Sequence, residues 1–314
     1  MSKKNINDFI EKMKEAVKAC LPEEDKDIII DDVTVVKMND QKLTGLTFKE
    51  PGNDAAPTLY INEMFEAYEH GVDISHLANE IAGMYAESKT APVPPQVKLS
   101  WDNVKEKLTV RLLEKQRNRD FLATMPYKSV GQGLALIADI NMGEGRGEWR
   151  IAVNNSVLAE LGVNEETLFE DAMASAVVYD PAELVDMGSA LFSPEKVNLL
   201  NRDEPLNPDE VGGMYVLTNK SGSLGAAALF YPDVKEKTAE LLGRDYYILP
   251  SSIHEVIIVP DSMDIKAKEL CDMVKQANRT VVEPNDILSD QVYHYSKATG
   301  FEKVVSEESK ETAA

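Results

Sequence analysis

Paired strand-like segments joined by short polar turns are the feature that most constrains this fold. Residues 33–38 and 43–48 alternate apolar and polar side chains around a turn at 39–41. Residues 134–142 and 149–153 repeat the pattern around a glycine-rich turn, and residues 214–218 and 225–230 form a third pair. Strands joined by such short connections can only be antiparallel. We therefore predict an α+β fold of antiparallel sheets built from hairpins with packed helices, and not a doubly wound parallel sheet.

Helical periodicity fills most of the chain between the hairpins. Apolar residues recur three and four positions apart, and many of the runs start at Asn, Asp or Ser and end at Pro or Gly. The predicted helices cover about 6–20, 59–69, 73–88, 101–113, 155–161, 165–178, 233–242 and 265–277. Two further strands are predicted at 246–249 and 255–259, and a last one at 292–295.

A proline-rich segment, residues 91–95, suggests a boundary between two subdomains. We expect residues 1–90 to form an N-terminal subdomain with a helix, a hairpin and a helix pair. Residues 100–300 then form a larger α+β domain, and residues 301–314 a polar tail. Residues 194–213 are rich in Pro, Asn and Gly and are interpreted as an irregular connection.

The net charge of −21 is unevenly distributed. Residues 159–210 carry a net −11, whereas residues 103–119, which overlap the helix predicted over 101–113, carry +4. An acidic protein is a poor general binder of nucleic acid or of anionic membranes, because both need a basic face. The basic stretch is interpreted as a solvated face that pairs with the acidic remainder, with a nucleic-acid or phosphate surface as the alternative.

Several functional classes lack their sequence signals. The two cysteines, Cys20 and Cys271, are far apart, so no cysteine zinc site is expected, and no other metal motif is present. No phosphate-loop or dinucleotide motif occurs, so no cofactor is expected. The N-terminus lacks the apolar run of a secretory signal, and no run of apolar residues is long enough to span a membrane, so a cytoplasmic protein is expected.

Five segments carry a resemblance to a known family. They are VKMND with LTGL (36–40, 43–46), PTLYIN (57–62) with Tyr68 and Gly71, MYVLTN with GAA (214–219, 225–227), YILPSSIHEV (247–256) and LSDQVYHY (288–295). The chain resembles the bacterial family known as domain of unknown function 5688 over nearly its whole length. It departs from that pattern at Pro126-Tyr127, where similar proteins tend to have Pro-His. The resemblance implies a cytoplasmic α+β protein of gut-type anaerobic bacteria, often encoded near mobile elements, and implies no reaction or cofactor.

The stretch from Ser251 to Glu255 is the best candidate site in the sequence. Ser252 and His254 offer a nucleophile and a base, although in a strand their side chains lie about 6–7 Å apart. With Asp290 they are the catalytic candidates, and Asn62, Ser251, Glu255 and Tyr293 are the candidate binding residues. The alternative is that these serines and His254 only satisfy backbone groups in a tight connection.

Three functions are compatible with these observations. The first is a non-enzymatic interaction or accessory protein that binds a basic protein partner through its acidic surface, with no membrane and no nucleic acid involved. The second is a hydrolase or transferase centred on Ser252, His254 and Asp290. The third is an inhibitor that mimics DNA with its spaced carboxylates.

Overall fold

The computed structural model describes residues 5–50, 56–90, 99–143, 150–207, 213–263 and 265–304. The proline-rich segment 91–95, most of the predicted glycine-rich turn and the end of the polar tail lie outside the described residues. The chain divides into two compact units, residues 1–97 and 98–314.

The first unit is a three-stranded antiparallel sheet with helices. The sheet order is β1-β2-β3, and the predicted hairpin at 33–48 is confirmed. Its turn uses Asn39 and Asp40 in the left-handed region, at φ 57° and 51°. Phe48 stacks on Tyr85 at 4.4 Å between ring centroids in a core that also buries Phe9. The elements are α1 (Ile6–Cys20), β1 (Ile29–Val36), β2 (Lys42–Lys49), β3 (Thr58–Tyr60), α2 (Asn62–Glu69) and α3 (Ile74–Thr90).

The second unit contains two antiparallel sheets. Its helices are α4 (Trp101–Val104), α5 (Arg119–Leu122), α6 (Asn155–Leu161), α7 (Glu165–Tyr179), α8 (Met187–Phe192), α9 (Val234–Leu242) and α10 (Ala267–Thr280). Its strands are β4 (Leu108–Glu114), β5 (Lys128–Gly131), β6 (Leu134–Asn141), β7 (Arg150–Ala152), β8 (Ala182–Asp186), β9 (Tyr215–Asn219), β10 (Tyr246–Leu249), β11 (Val256–Pro260), β12 (Val292–Ser296) and β13 (Gly300–Val304). β4, β5 and β7 pair with the buried β6, and the other sheet has the order β13-β12-β10-β11-β9-β8. The α+β fold class is confirmed.

The helix predicted over residues 101–113 is wrong. A short helix, α4, ends at Val104, and β4 then pairs with β6 along its whole length. Leu108, Val110 and Leu112 are all buried. Apolar positions four residues apart share a face in a strand as well as in a helix, so the spacing of Val104, Leu108 and Leu112 suits both. Pairing with the apolar β6 decided the outcome, and the basic stretch is therefore not the face of one helix.

The hairpin predicted across 214–230 is also wrong in its second half. β9 forms, but residues Gly225–Phe230 form a 3₁₀ helix. Both edges of β9 are already paired, with β8 on one side and β11 on the other. Gly225 packs so tightly on β9 that an added Cβ would overlap the Thr218 hydroxyl and lie 2.6 Å from the Asn219 amide nitrogen. The chain therefore crosses over the sheet here instead of joining it.

No helix among the described residues has both the length and the apolar composition needed to cross a bilayer.

Candidate functional site

The Pro250–Glu255 segment links β10 to β11, and its backbone is paired with another stretch of chain. The Ile253 amide donates to the Asp286 carbonyl at 2.9 Å, and the Leu288 amide donates to the Ser251 carbonyl at 3.0 Å. Ser252 forms an isolated antiparallel bridge with Ile287. The segment is therefore a fixed connection, because its backbone groups are satisfied by residues 286–289.

Both ring nitrogens of His254 have a close polar neighbour. Nδ1 accepts the Leu224 backbone N–H at 3.2 Å, and Nε2 lies 3.5 Å from a carboxylate oxygen of Asp286. An Nδ1 that accepts a hydrogen bond places the proton of the neutral ring on Nε2, facing Asp286. A general base needs an unprotonated nitrogen directed at its nucleophile, so this arrangement does not prepare His254 to activate a serine.

The Ser252 hydroxyl takes part in a local turn. Its Oγ accepts the backbone N–H of His254 at 3.0 Å, and the residue is only 5% exposed. A hydroxyl that stabilises its own connection in this way has the role of a turn residue.

An open cleft of about 480 Å³ brings part of the predicted site together. Ser252, His254 and Glu255 line it, together with Glu283 and Asp286. Its titratable side chains are predominantly acidic. Glu283 and Asp286 were missed by the sequence reasoning, because their position opposite residues 250–255 depends on backbone pairing that leaves no local pattern. Among the described residues, no group of three or more His, Cys, Asp or Glu side chains is arranged to hold a metal ion.

Asp290 lies outside this cleft in a separate polar cluster. One of its carboxylate oxygens accepts the Asn278 side-chain amide at 2.7 Å, and the other pairs with Arg117. Burial acts to raise the pKa of Asp290, but the hydrogen bonds from Asn278 and Arg117 outweigh it and hold that pKa below its ordinary value. These contacts join α10 and the chain after β4 to the start of β12.

Tyr293 and Asn62 are also held in structural contacts. The Tyr293 ring is buried and stacked on Phe301 at 4.9 Å, and its hydroxyl donates to the Gln132 carbonyl at 3.4 Å. Burial is the main cause that raises the pKa of Tyr293, to about 12. Asn62 belongs to the first unit, where its side-chain oxygen accepts the Thr44 N–H at 2.9 Å. It ties the start of α2 to β2.

Three strongly exposed apolar side chains of the second unit lie in and just after α8. Leu191 is 69% exposed, Phe192 86% and Val197 66%, and we call these three residues the α8 surface. All three lie inside the acidic segment 159–210. These residues were not predicted from the sequence, although an apolar Leu-Phe pair that fits no periodic pattern in an acid-rich stretch is a visible signal.

The α8 surface is held firmly by its flanking residues. The Asp186 carboxylate caps α8 by accepting the Ser189 amide at 3.0 Å. After α8, Asn198 fixes the returning chain to the edge of β8, accepting the Leu184 amide at 3.0 Å and donating to the Ala182 carbonyl at 2.9 Å. The exposed side chains therefore project from a backbone that is fixed at both ends.

Comparison with known proteins gives one result. A model of a family of unknown function, DUF5688, matches residues 6–297. No curated protein and no solved structure matches the chain.

Proposed function

We propose, for this chain that belongs to the DUF5688 family of unknown function, a role as a non-enzymatic interaction or accessory protein of the cytoplasm. It binds a protein partner through the α8 surface. The observation that carries this proposal is the exposure of Leu191, Phe192 and Val197 within the segment of net charge −11. Exposed apolar groups surrounded by charge are typical of interaction sites.

The chemistry of the surface indicates the partner. Large apolar side chains at the centre of an interface supply most of the binding energy, and polar groups around them supply specificity and speed of association. Phe192 and Leu191 fit the central role, and Glu195, Asp203 and Glu204 are the acids that follow them in the chain. The matching partner is a protein with an apolar recess bordered by lysine or arginine residues.

The rigidity of the surface supports tight binding. A contact made from an already ordered backbone loses less conformational entropy than one made from a free loop. The hydrogen bond from Ser189 to Asp186 and the hydrogen bond from Leu184 to Asn198 supply that order in the absence of a partner.

Site-specific photo-crosslinking in the native host tests the proposal. A photoreactive amino acid is placed at Leu191, and in a second strain at Val281, which is 79% exposed and lies outside the acidic segment. We expect a crosslinked product at position 191 that is absent at position 281. The crosslinked protein is then identified, purified and titrated with the full chain.

Two measurements on that purified pair decide the outcome. We expect Phe192→Ala to weaken binding at least tenfold, which is about 1.4 kcal/mol, whereas Val281→Ala leaves it unchanged. Raising the salt concentration should slow association, because the acids attract the partner at long range. Equal affinity for wild type and Phe192→Ala would contradict the proposal, as would a product that is only a second copy of this chain. A partner displaced by duplex DNA would instead support the DNA-mimic alternative.

A further inference from the structure

A second feature of the molecule is an open cavity of about 690 Å³ in the second unit. It lies where the end of β6 and the start of β7 meet the last turn of α7, the start of β4 and the loop after β9. Its volume falls within the range of about 300–1,000 Å³ that is usual for small-molecule sites. We call it the Arg150 pocket; its lining includes Lys107, Asn141, Arg150, Ser175, Tyr179 and Lys220.

The charged side chains that line the Arg150 pocket have a net positive charge, opposite in sign to that of the whole chain. Lys107, Arg150 and Lys220 line it, whereas the lining acids are Glu106 and Asp180. Asp180 is already engaged, since its carboxylate accepts both the backbone amide and the hydroxyl of Ser221 at 2.7 Å. The lining therefore has a positive balance in a protein of net charge −21.

One guanidinium nitrogen of Arg150 is buried without a hydrogen-bond partner among the described residues. Nη1 donates to the Ser223 hydroxyl at 3.0 Å, whereas the buried Nε has no hydrogen-bond partner among the described residues. Nε and Nη2 form the edge on which arginine binds a carboxylate or phosphate with two parallel hydrogen bonds. Arg111 in the same unit uses this edge on Asp139, with Nε at 2.8 Å from one oxygen and Nη2 at 2.7 Å from the other.

Ser175 gives a second, independent indication. It lies on α7, is only 7% exposed and lines the Arg150 pocket, yet its hydroxyl has no hydrogen-bond partner among the described residues. Buried polar groups in folded proteins are nearly always hydrogen-bonded, so two unpaired groups at one cavity call for an explanation. The Nε–H of arginine can only donate, and a hydroxyl can donate as well, so the missing partner is rich in acceptor oxygens.

We propose that the Arg150 pocket binds a small organic oxyanion whose carboxylate or phosphate group pairs with the guanidinium of Arg150. Lys107 and Lys220 add attraction for the negative charge. Tyr179 and Leu108 offer apolar surface to the rest of the molecule, for which the cavity has room beyond the anionic group itself. This site is independent of the α8 surface and of the partner proposed for it.

Titration of the full chain with inorganic phosphate and, separately, with acetate tests the proposal. At about 50 mM anion a site with a Kd of about 1 mM is almost filled. We expect one of the two anions to raise the melting temperature of the second unit by about 5 °C relative to sodium chloride at matched ionic strength. We also expect a saturable shift of the Arg150 Nε–H resonance. The more effective anion identifies the ligand as a phosphate or a carboxylate.

Three variants separate binding from the general stabilising effect of salts. Arg150→Lys keeps the charge but loses the two-donor edge, and it should weaken binding at least tenfold. Arg279→Lys, the same change at an exposed arginine on α10, should leave binding unchanged. Lys220→Gln alters an exposed residue, so it tests the pocket without threatening the fold, and a roughly threefold loss is expected. Equal responses of wild type, Arg150→Lys and Lys220→Gln, or an unmoved Arg150 resonance with both anions, would overturn the proposal.

Discussion

At the scale of single residues, the two carboxylates that hold arginines have pKa values shifted in opposite directions, although burial acts to raise both. Asp139 is fully buried, and burial raises its pKa although Arg111 opposes that rise. Asp290 is partly exposed. There the hydrogen bonds from Asn278 and Arg117 outweigh the effect of burial, so the pKa of Asp290 is lowered. A lowered pKa means that the folded chain prefers the ionised carboxylate, so Asp290 stabilises the fold at neutral pH.

The Asp290→Asn substitution tests this role. We expect the variant to lose about 1 kcal/mol of unfolding free energy at neutral pH, because it removes the charge that Arg117 and Asn278 hold. A carboxylate with a lowered pKa stabilises the fold above its unfolded pKa of about 3.9. The difference in unfolding free energy between variant and wild type should therefore shrink as the pH falls from about 3.9 through the lower pKa that Asp290 has in the folded chain. Urea unfolding followed by tryptophan fluorescence measures it, since Trp101 and Trp149 both lie in the second unit. A difference independent of pH would show that the carboxylate charge is not the cause.

At the scale of elements, the edge of the six-stranded sheet is closed by a side chain. β8 is the last strand on one side, and an exposed strand edge invites pairing with other chains. Asn198 covers this edge by bonding to Leu184 and Ala182, and its oxygen also accepts the Leu200 amide at 3.0 Å. The clamp both protects β8 and positions the α8 surface.

Replacement of Asn198 by alanine should open this edge. Loss of the side chain leaves backbone groups of Leu184 and Ala182 without their partners, which costs about 1–3 kcal/mol. We expect the Leu184 amide to exchange with solvent deuterium faster by a corresponding factor. Asn201→Ala, at an exposed position nearby, should change stability by less than about 0.5 kcal/mol. Unaltered protection of Leu184 in Asn198→Ala would show that the clamp does not hold the edge.

At the scale of the whole molecule, net charge is the dominant electrostatic feature. Six basic residues fall within 103–119, but the structure divides them among a 3₁₀ turn, β4, the turn that follows β4 and α5. Arg111 is committed to Asp139, and Arg117 is paired with Glu114 and Asp290. Much of the local positive charge is therefore neutralised by its immediate neighbours, and the acidic segment retains most of its own repulsion.

Salt should consequently stabilise the chain. Raising the ionic strength from about 0.01 M to about 0.15 M shortens the screening length from about 30 Å to about 8 Å. We expect the unfolding free energy of the second unit to rise by about 1 kcal/mol as repulsion is screened. Within the acidic segment, Glu204→Gln should reduce this dependence on salt and Lys196→Gln should increase it, as urea titrations at both ionic strengths would measure. A fall in stability with salt would mean that attractive ion pairs outweigh the repulsion.

The sequence by itself determined the fold class and most elements. Helices such as α1, α3 and α7 were predicted because their apolar spacing and capping residues are local signals, and the hairpin of β1 and β2 follows from its turn. Local patterns predicted the wrong element at β4 and at Gly225–Phe230. There, strand pairing with residues distant in the chain decided between conformations that the apolar spacing allows equally.

The candidate sites divide along the same line. The sequence located the Ser251–Glu255 connection and the acidic segment, because residue types and charge are written in the chain. Only the tertiary structure decided that Asp286 and the Leu224 amide contact the ring nitrogens of His254, and that Asp290 pairs with Arg117. It also decided that Leu191 and Phe192 remain exposed. Those outcomes depend on which distant backbone and side chains come within hydrogen-bonding distance. That information is created by packing, and no local pattern contains it.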